Sequence, residues 1–465
     1  MTAAPRSVHD LVITRSGSTP EVPEVLLIRE STGGRLPRIE SEARRSADVA
    51  PLNRAVRERL GLEVSILRCL RDEPVDATGL RWQVSEAECH GGSAGPDTSW
   101  IEAPRLEATP LAVPSQRELL RAWLDARRSR IPSRARGDWA FPGWRDRVTA
   151  WAEAALGRLR RAPRITQIEQ LRTWEFSCVM RFGTDGGDFF LKAVPRAAAT
   201  ETALTLRLAE THPHLTPPVV AADLERGWLL TRGVAGISLM RARDLTCWAR
   251  AAEACARIQI DWLERAAELE RLGCPTRSLD WLEAQIEPLV GDRAVLCGEP
   301  PDGFDGTEIE ELRRRAPRLS SACRELAGYG IPAALEHGDL WAENVIASPD
   351  ASVLIDWEDA ALNHPFFSPS LLLLSLEYTD ALTDAPDART RIREAYLAPW
   401  RSSGPARGWP AGRLEAAFDL AQQLAMLYYS VQFRLFAFPR IETSWEVRSF
   451  APFFARRLLA STAGA

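Results

Sequence analysis

Glu336-His337-Gly338-Asp339-Leu340-Trp341-Ala342-Glu343-Asn344-Val345-Ile346, followed by Val353-Leu354-Ile355-Asp356-Trp357-Glu358, is the stretch on which the reading of this 465-residue chain turns. Short apolar runs flank the polar positions, so the motif is expected on a loop leading into a β-hairpin. Asp339 and Asn344, five positions apart, can point their side chains into one cleft, and Asp356, twelve further on at a strand end, can return to it. Phosphoryl transfer needs such a set: one carboxylate orients the acceptor hydroxyl, while an amide and a second carboxylate hold magnesium on the nucleotide's phosphates. Taken singly, Asp339 is readable as a turn residue, Asn344 as a cap and Asp356 as a strand-end acid. What lifts them above those readings is their order and the unit that precedes them.

That unit reads strand, strand, helix, strand, strand. Strands are expected at Phe176–Phe182 and from Asp188 to Val194, with Gly186-Gly187 as the turn between them. A helix follows from Glu201 to about Glu210, then strands at Pro218–Ala222 and Trp228–Thr231. The second strand carries Lys192, the only lysine, so 57 of the 58 Lys plus Arg residues are arginine. The arginine excess fits a preference for GC-rich codons. The exception calls for a reason, because a compact ammonium fits a narrow phosphate cleft where a planar guanidinium does not substitute well. A strand lysine paired with a helix glutamate such as Glu201 is the arrangement kinases use to reach the α- and β-phosphates. The plainer alternatives are an exposed strand cation and a helix-start acid favoured by the dipole.

Working outward, the chain after Gly236 is expected to be largely helical, ending in an apolar stripe through Phe418, Leu424, Leu427, Val431 and Leu435. Residues 1–128 mix a strand at Glu24–Arg29, a helix from Leu52 to Leu60 stopped by Gly61, and a strand at Glu63–Leu67. Residues 129–164 read as a linker and an amphipathic helix. Arg127, Arg128, Arg130, Arg134 and Arg136 suggest a solvated stretch, with an anion-binding patch as the minority view. Pro142 then opens a helix with Trp144, Val148, Trp151, Ala155 and Leu159 on one face. Residues 165–233 form a small β-rich lobe and 234–465 a helical lobe holding the catalytic loop and acceptor pocket. A net charge of −5 argues against sequence-independent nucleic-acid binding. The start lacks an apolar leader segment, the Leu371–Leu374 cluster is too short to span a bilayer, and eight scattered cysteines show no C-x-x-C pair. A cytoplasmic protein with no membrane partner is therefore expected. Oligomeric state is not legible.

With these residues in view, the region from about Ile165 to the C-terminus resembles the aminoglycoside phosphotransferase and choline-kinase-like group of small-molecule kinases. The resemblance implies an α+β, bilobal, protein-kinase-like fold using ATP and Mg2+ to phosphorylate a hydroxyl of a small molecule, aminoglycoside-like, sugar or amino alcohol. It makes Asp339 the catalytic base, Asn344 and Asp356 the metal ligands, and Lys192 the phosphate ligand with Glu201 its partner. Leu229–Arg232 would be the hinge holding adenine, with Leu230 and Arg232 in contact. Trp174–Ser177 lies where the family has its phosphate-covering loop. That loop holds no glycine between Leu171 and Cys178, so Ser177 or a backbone amide would contact phosphate. Trp341 replaces a histidine common in the catalytic loop and is similar to the fructosamine-kinase branch. The glycine-poor loop also suggests the alternative of a non-catalytic nucleotide-binding scaffold.

Residues 1–128 resemble a Nudix domain, an α/β fold, through Val25–Arg29, Gly34–Pro37 and Arg54-Ala55-Val56-Arg57-Glu58-Arg59-Leu60-Gly61-Leu62. Ala55 and Arg59 stand where that family's box has glutamates, leaving Glu58. Metal-bound diphosphate cleavage needs several converging carboxylates, so a docking or substrate-shaping module is expected rather than a hydrolase. For the acceptor, Asp359 and Glu377 are candidate carboxylates. The aromatics Phe366, Phe367, Tyr428, Tyr429, Phe433 and Trp445 read mainly as packing residues.

Overall fold

Strand Arg6–Thr19 lies at the centre of a seven-stranded mixed sheet in the computed structural model, pairing in parallel with Leu80–Gly92 and antiparallel with Val22–Glu30 and Arg38–Ser41. The structure describes residues 6–19, 22–42, 45–73, 75–76, 78–128, 136–196, 200–297, 303–402, 409–410, 412–443 and 445–461. Successive side chains of a strand face opposite ways. Leu11 and Ile13 accordingly enter one core with Leu52 and Val56 of helix Ala50–Leu60, while Val12 enters another with Leu120 and Trp123 of helix Ser115–Arg128. Val25-Leu26-Leu27 divides in the same way, so a continuous apolar run marks a strand covered on both faces. The first helix stops at Gly61, whose φ of 68° closes a left-handed cap onto the Arg57 carbonyl.

Two compact units make up the chain. The first comprises Met1–Pro195 with Arg440–Val447, and so also holds an antiparallel meander of Ile165–Thr173, Cys178–Thr184 and Gly187–Ala193. Its first strand is fastened to the N-terminal sheet. The Gln170 amide donates to the Ile66 carbonyl and accepts from the Ile66 N–H, both at 2.8 Å, and the Thr173 N–H donates to the Ala47 carbonyl at 2.9 Å. Helix Trp144–Leu156 buries Trp144, Val148, Ala152, Ala155 and Leu156. Trp151 is only half-buried and Leu159 falls beyond the helix, since the helical repeat hands the inner stripe to Ala152 and Leu156.

The arginine stretch also differs from a solvated linker. Arg127 is inside helix Ser115–Arg128 and pairs with Glu86 at 3.0 Å, and Arg136 forks onto Glu442 at 2.7 Å. Arg130 and Arg134 lie outside the described residues. Glu442 is some three hundred positions away, so no local pattern exposes this partner.

The second unit comprises Arg196–Pro439 with Arg448–Ala465. It holds helix Thr200–Thr211, a hairpin of Val219–Asp223 and Trp228–Arg232, and a helical body. Helices Leu245–Asp261, Gly306–Gly328, Ala388–Ser402, Arg413–Gln432 and Phe450–Ser461 share one core. Phe418, Leu424, Leu427 and Val431 are buried there as the stripe predicts, and Leu435 lies beyond the helix. Two small three-stranded sheets sit within this body: Ile237–Ser238, Val345–Ala347 and Ser352–Leu354 in one, Thr276–Arg277, Ala361–Asn363 and Ala334–Glu336 in the other. All eight cysteines are free thiols. Among the described residues no helix is long and apolar enough to cross a membrane.

Candidate active site

The loop after strand Ala334–Glu336 leaves one sheet and enters the hairpin Val345–Ala347/Ser352–Leu354 of the other, as the apolar runs predict. Gly338 makes that exit possible. Its φ is +81°, and a Cβ there would stand 2.2 Å from the Asp359 carbonyl oxygen, so an added side chain would collide with backbone. Next in the chain, Asp339 is held from two sides. Its N–H faces His337 Nδ1 at 3.3 Å, and the Asn344 amide donates at 2.8 Å to both its backbone carbonyl and its Oδ2. A turn of 3-10 helix, Ala342–Asn344, brings the amide round. His337 is fixed in turn by the Trp357 ring at 4.3 Å and by its own N–H donating to Ser368 Oγ at 2.9 Å.

Asp356 follows the hairpin with φ +69°, an unusual conformation for a residue other than glycine. Backbone strain of this kind persists where surrounding structure over-determines it, and such residues cluster at functional sites. The turn swings Asp356 and Glu358 toward Glu201 of helix Thr200–Thr211. One carboxylate oxygen from each of the three lies within 4.8 Å of the others. Three hard oxygen donors at this spacing suit a small divalent cation. Because the Asn344 Nδ2 is committed to Asp339, its Oδ1 is the atom left to join them. The site therefore fits magnesium by the chemistry of its donors.

The same charges act on Asp339. Burial first, then the charges of Asp356, Asp359 and Glu358, push its carboxyl well above the usual aspartate range, and the Asn344 hydrogen bond opposes them. Behind the loop, Glu336 is fully buried. Its Oε1 accepts from the Gly338 N–H at 2.8 Å, and its Oε2 accepts from the Tyr428 hydroxyl at 3.0 Å. Tyr428 itself accepts from Arg277 at 2.8 Å. Burial lifts the Glu336 carboxyl to about 7, against the pull of the Gly338 N–H and Arg277.

Asp339, Asn344 and Asp356 thus occupy one loop-and-hairpin assembly, and Glu201 joins the carboxylate group with Asp356 and Glu358. Lys192 and Ser177 belong to the first unit. Lys192 is half-buried on strand Gly187–Ala193 opposite Val179. Ser177 is buried after the bend that follows Thr173, where its hydroxyl accepts from the Trp174 indole at 2.9 Å. Leu230 and Arg232 lie on strand Trp228–Arg232, Leu230 fully buried and the Arg232 N–H donating to the Pro218 carbonyl at 2.9 Å. Of the acceptor candidates, Glu377 is ion-paired with Arg457, and the Asp359 carbonyl accepts from Arg277 at 3.4 Å. Phe366, Phe367, Tyr428 and Tyr429 are core residues, as expected. Sequence reasoning assigned no role to Glu358, Glu336, Arg277 or Tyr428. Glu358 had a signal, being two positions after Asp356 with only Trp357 between them.

A carboxylate oriented by an amide, beside carboxylates grouped closely enough to hold a cation, is the arrangement that phosphoryl transfer calls for. Residues 164–414 match the model of APH, the phosphotransferase enzyme family, over more than half of the chain. The chain belongs to this family and is an enzyme, with the family's kinase-like fold of a β-rich region followed by a helical one. No curated protein matches it in sequence. Among solved structures, the chain is similar to a choline/ethanolamine kinase family protein from Mesorhizobium loti at 20% identity, covering 68% of this chain and 95% of the other with a TM-score of 0.43. It is also similar to choline kinase LicA from Streptococcus pneumoniae, at 15% identity, 69% and 99% coverage and a TM-score of 0.45. A third is an ethanolamine kinase from Plasmodium vivax, at 11% identity, 63% and 81% coverage and a TM-score of 0.46.

Proposed function

We propose that this enzyme transfers the γ-phosphate of ATP to a hydroxyl of a small molecule, with Asp339 as the base. The observation that carries the proposal is the Asn344 amide clamped on the Asp339 carboxylate next to the Glu201, Asp356 and Glu358 oxygens. Asp339 accepts the acceptor's proton as the new O–P bond forms and the bond to the departing ADP breaks. Asn344 keeps the carboxylate aimed while its Oδ1, with Asp356, serves the cation. Bound magnesium would neutralise charge developing on the phosphates. Lys192, partnered by Glu201, takes the α- and β-phosphates, Ser177 or a neighbouring amide the phosphate-covering role, and Leu230 and Arg232 the adenine.

The elevated Asp339 carboxyl has a kinetic consequence. The base must be ionised, so the acid limb of kcat against pH is expected above the range of an ordinary aspartate. More magnesium moves that limb downward, because the cation offsets the carboxylate charges that raise it. The decisive measurement is magnesium-dependent ADP release over a panel of sugars, amino alcohols and aminoglycosides. Asp339→Ala is expected to lower acceptor-stimulated kcat by about 10²–10⁴-fold, and Asn344→Ala to weaken both turnover and the magnesium response. Stimulated turnover that survives Asp339→Ala overturns the mechanism. Nucleotide binding without turnover on any acceptor points to the scaffold instead.

For residues 1–128 the Nudix-like reading belongs to the same proposal. What supports it is the helix Ala50–Leu60 ending at the left-handed Gly61. With Ala55 and Arg59 in place of acids, its role is to shape or dock, not to hydrolyse.

A further inference from the structure

We propose that a cavity lying wholly within the first unit, bounded by His9, Gln83, Ser85, Trp139, Trp174 and Glu175, binds an uncharged amino-substituted heteroaromatic molecule. The cavity holds about 750 Å³ of empty space, counting the part open to solvent. His9 is 4% exposed, yet neither of its ring nitrogens has a hydrogen-bond partner. A buried polar group left unmatched costs stability, so native structures rarely keep one without a use. In the sheet His9 stands beside Gln83, and Leu11 beside Ser85. Both Gln83 and Ser85 are buried in the cavity wall. A neutral polar strip therefore runs across two neighbouring strands.

Apart from the Glu175 carboxylate, the wall's charges are already compensated within the unit. Asp72 pairs with Arg81 at 2.6 Å, Arg68 with Glu86 at 2.7 Å, Arg136 with Glu442 at 2.7 Å and Asp48 with Arg172 at 3.4 Å. A phosphorylated or otherwise anionic ligand finds no free cation in these pairs. Burial and the nearby Arg81 lower the His9 imidazole to about 4, so near neutrality it is uncharged, one nitrogen donating and the other accepting. One of these nitrogens can meet a ring atom of a nitrogen heterocycle, as donor to a ring nitrogen or as acceptor from a ring N–H. Two indoles line the same cavity. Trp139 Nε1 donates to the Trp174 carbonyl and Trp174 Nε1 to Ser177 Oγ, each at 2.9 Å. With their N–H groups spent, they offer apolar surface to the cavity. Glu175 supplies the acceptor for an exocyclic amine. Its contacts, from the Glu442 and Thr443 N–H groups and the Thr443 hydroxyl, all fall on Oε1 at a long 3.4 Å.

The test uses the full chain and three probes, cytosine, 2-aminopyrimidine and adenine, titrated calorimetrically against wild type, with CMP as the charged control. At least one base is expected to bind one to one, and CMP at least about tenfold more weakly than cytosine. His9→Phe, which keeps a flat ring and removes both nitrogens, is expected to weaken that binding at least about tenfold while raising Tm by a few degrees. Ser46→Trp, at a half-buried loop position in the wall, is expected to block binding without altering the sheet. This second variant keeps the question open to test should His9→Phe fail to fold. Dissociation constants above about 1 mM for all three bases overturn the proposal. So does CMP binding as tightly as cytosine, or base binding that both variants leave intact, which would put it at another site such as that for ATP.

Discussion

Lys192 is the residue at which composition and geometry meet. Along strand Gly187–Ala193, Phe189, Leu191 and Ala193 are buried on one face, and Lys192 stands half-buried on the other. Because the chain has no other lysine, the only other aliphatic amine is the N-terminus. An amine-reactive ATP analogue is therefore expected to label Lys192, and MgATP to protect it, as read by peptide mass mapping. Labelling that ignores MgATP would remove this side chain from nucleotide binding. The residues easiest to read in the sequence were those whose chemistry is local. Asp339, Asn344 and Asp356 lie close together in the chain, and short apolar runs announce the turns that gather them. Glu201 was readable as a helix-start acid, but its meeting with Asp356 and Glu358 depends on how a distant helix packs.

At the scale of the element, the loop that carries Asp339 is held from beneath. Strand Ala334–Glu336 ends on a carboxylate that pins the Gly338 N–H, and Tyr428 of helix Arg413–Gln432 closes the other oxygen. No local signal reveals this network, because Arg277 and Tyr428 each lie far from Glu336 in sequence. Burial alone would merely penalise a charge there. The hydrogen bonds decide that the group is retained and oriented. Between the ordinary value of 4.5 and about 7, the folded state holds the Glu336 proton more tightly than the unfolded chain does. The stability this contributes is complete below 4.5 and is lost as pH rises through about 7. Thermal melts of wild type and Glu336→Gln across that range are expected to diverge, with wild type losing a few degrees of Tm relative to the variant toward pH 8. Parallel curves would show that Glu336 does not titrate in this window.

At the scale of the molecule, the sequence suggests a boundary near residue 128, whereas the first compact unit runs to Pro195. The reason is visible at Gln170, whose amide fills both backbone positions of Ile66 and also accepts from Asn53 Nδ2 at 3.4 Å. Nothing in a strand of alternating polarity says that one glutamine will complete another domain's hydrogen bonding. Gln170→Leu strands the Ile66 N–H and carbonyl, and is expected to destabilise the first unit by about 2–4 kcal/mol. Denaturant melts followed by hydrogen exchange at the Ile66 amide check this. Unchanged protection there would mean that the two parts fold independently.

The bend between Thr173 and Cys178 belongs at once to the meander and to the wall of the His9 cavity, through Trp174 and Glu175. A molecule seated against those two residues restrains the segment on one side, just as a phosphate contact at Ser177 would on the other. Two such binding events form a thermodynamic cycle, and whatever factor one imposes on the affinity of the other must be returned in full. With both proposals in force, nucleotide titrations run with and without the cavity's ligand are expected to give different affinities, and the reciprocal titrations the same factor.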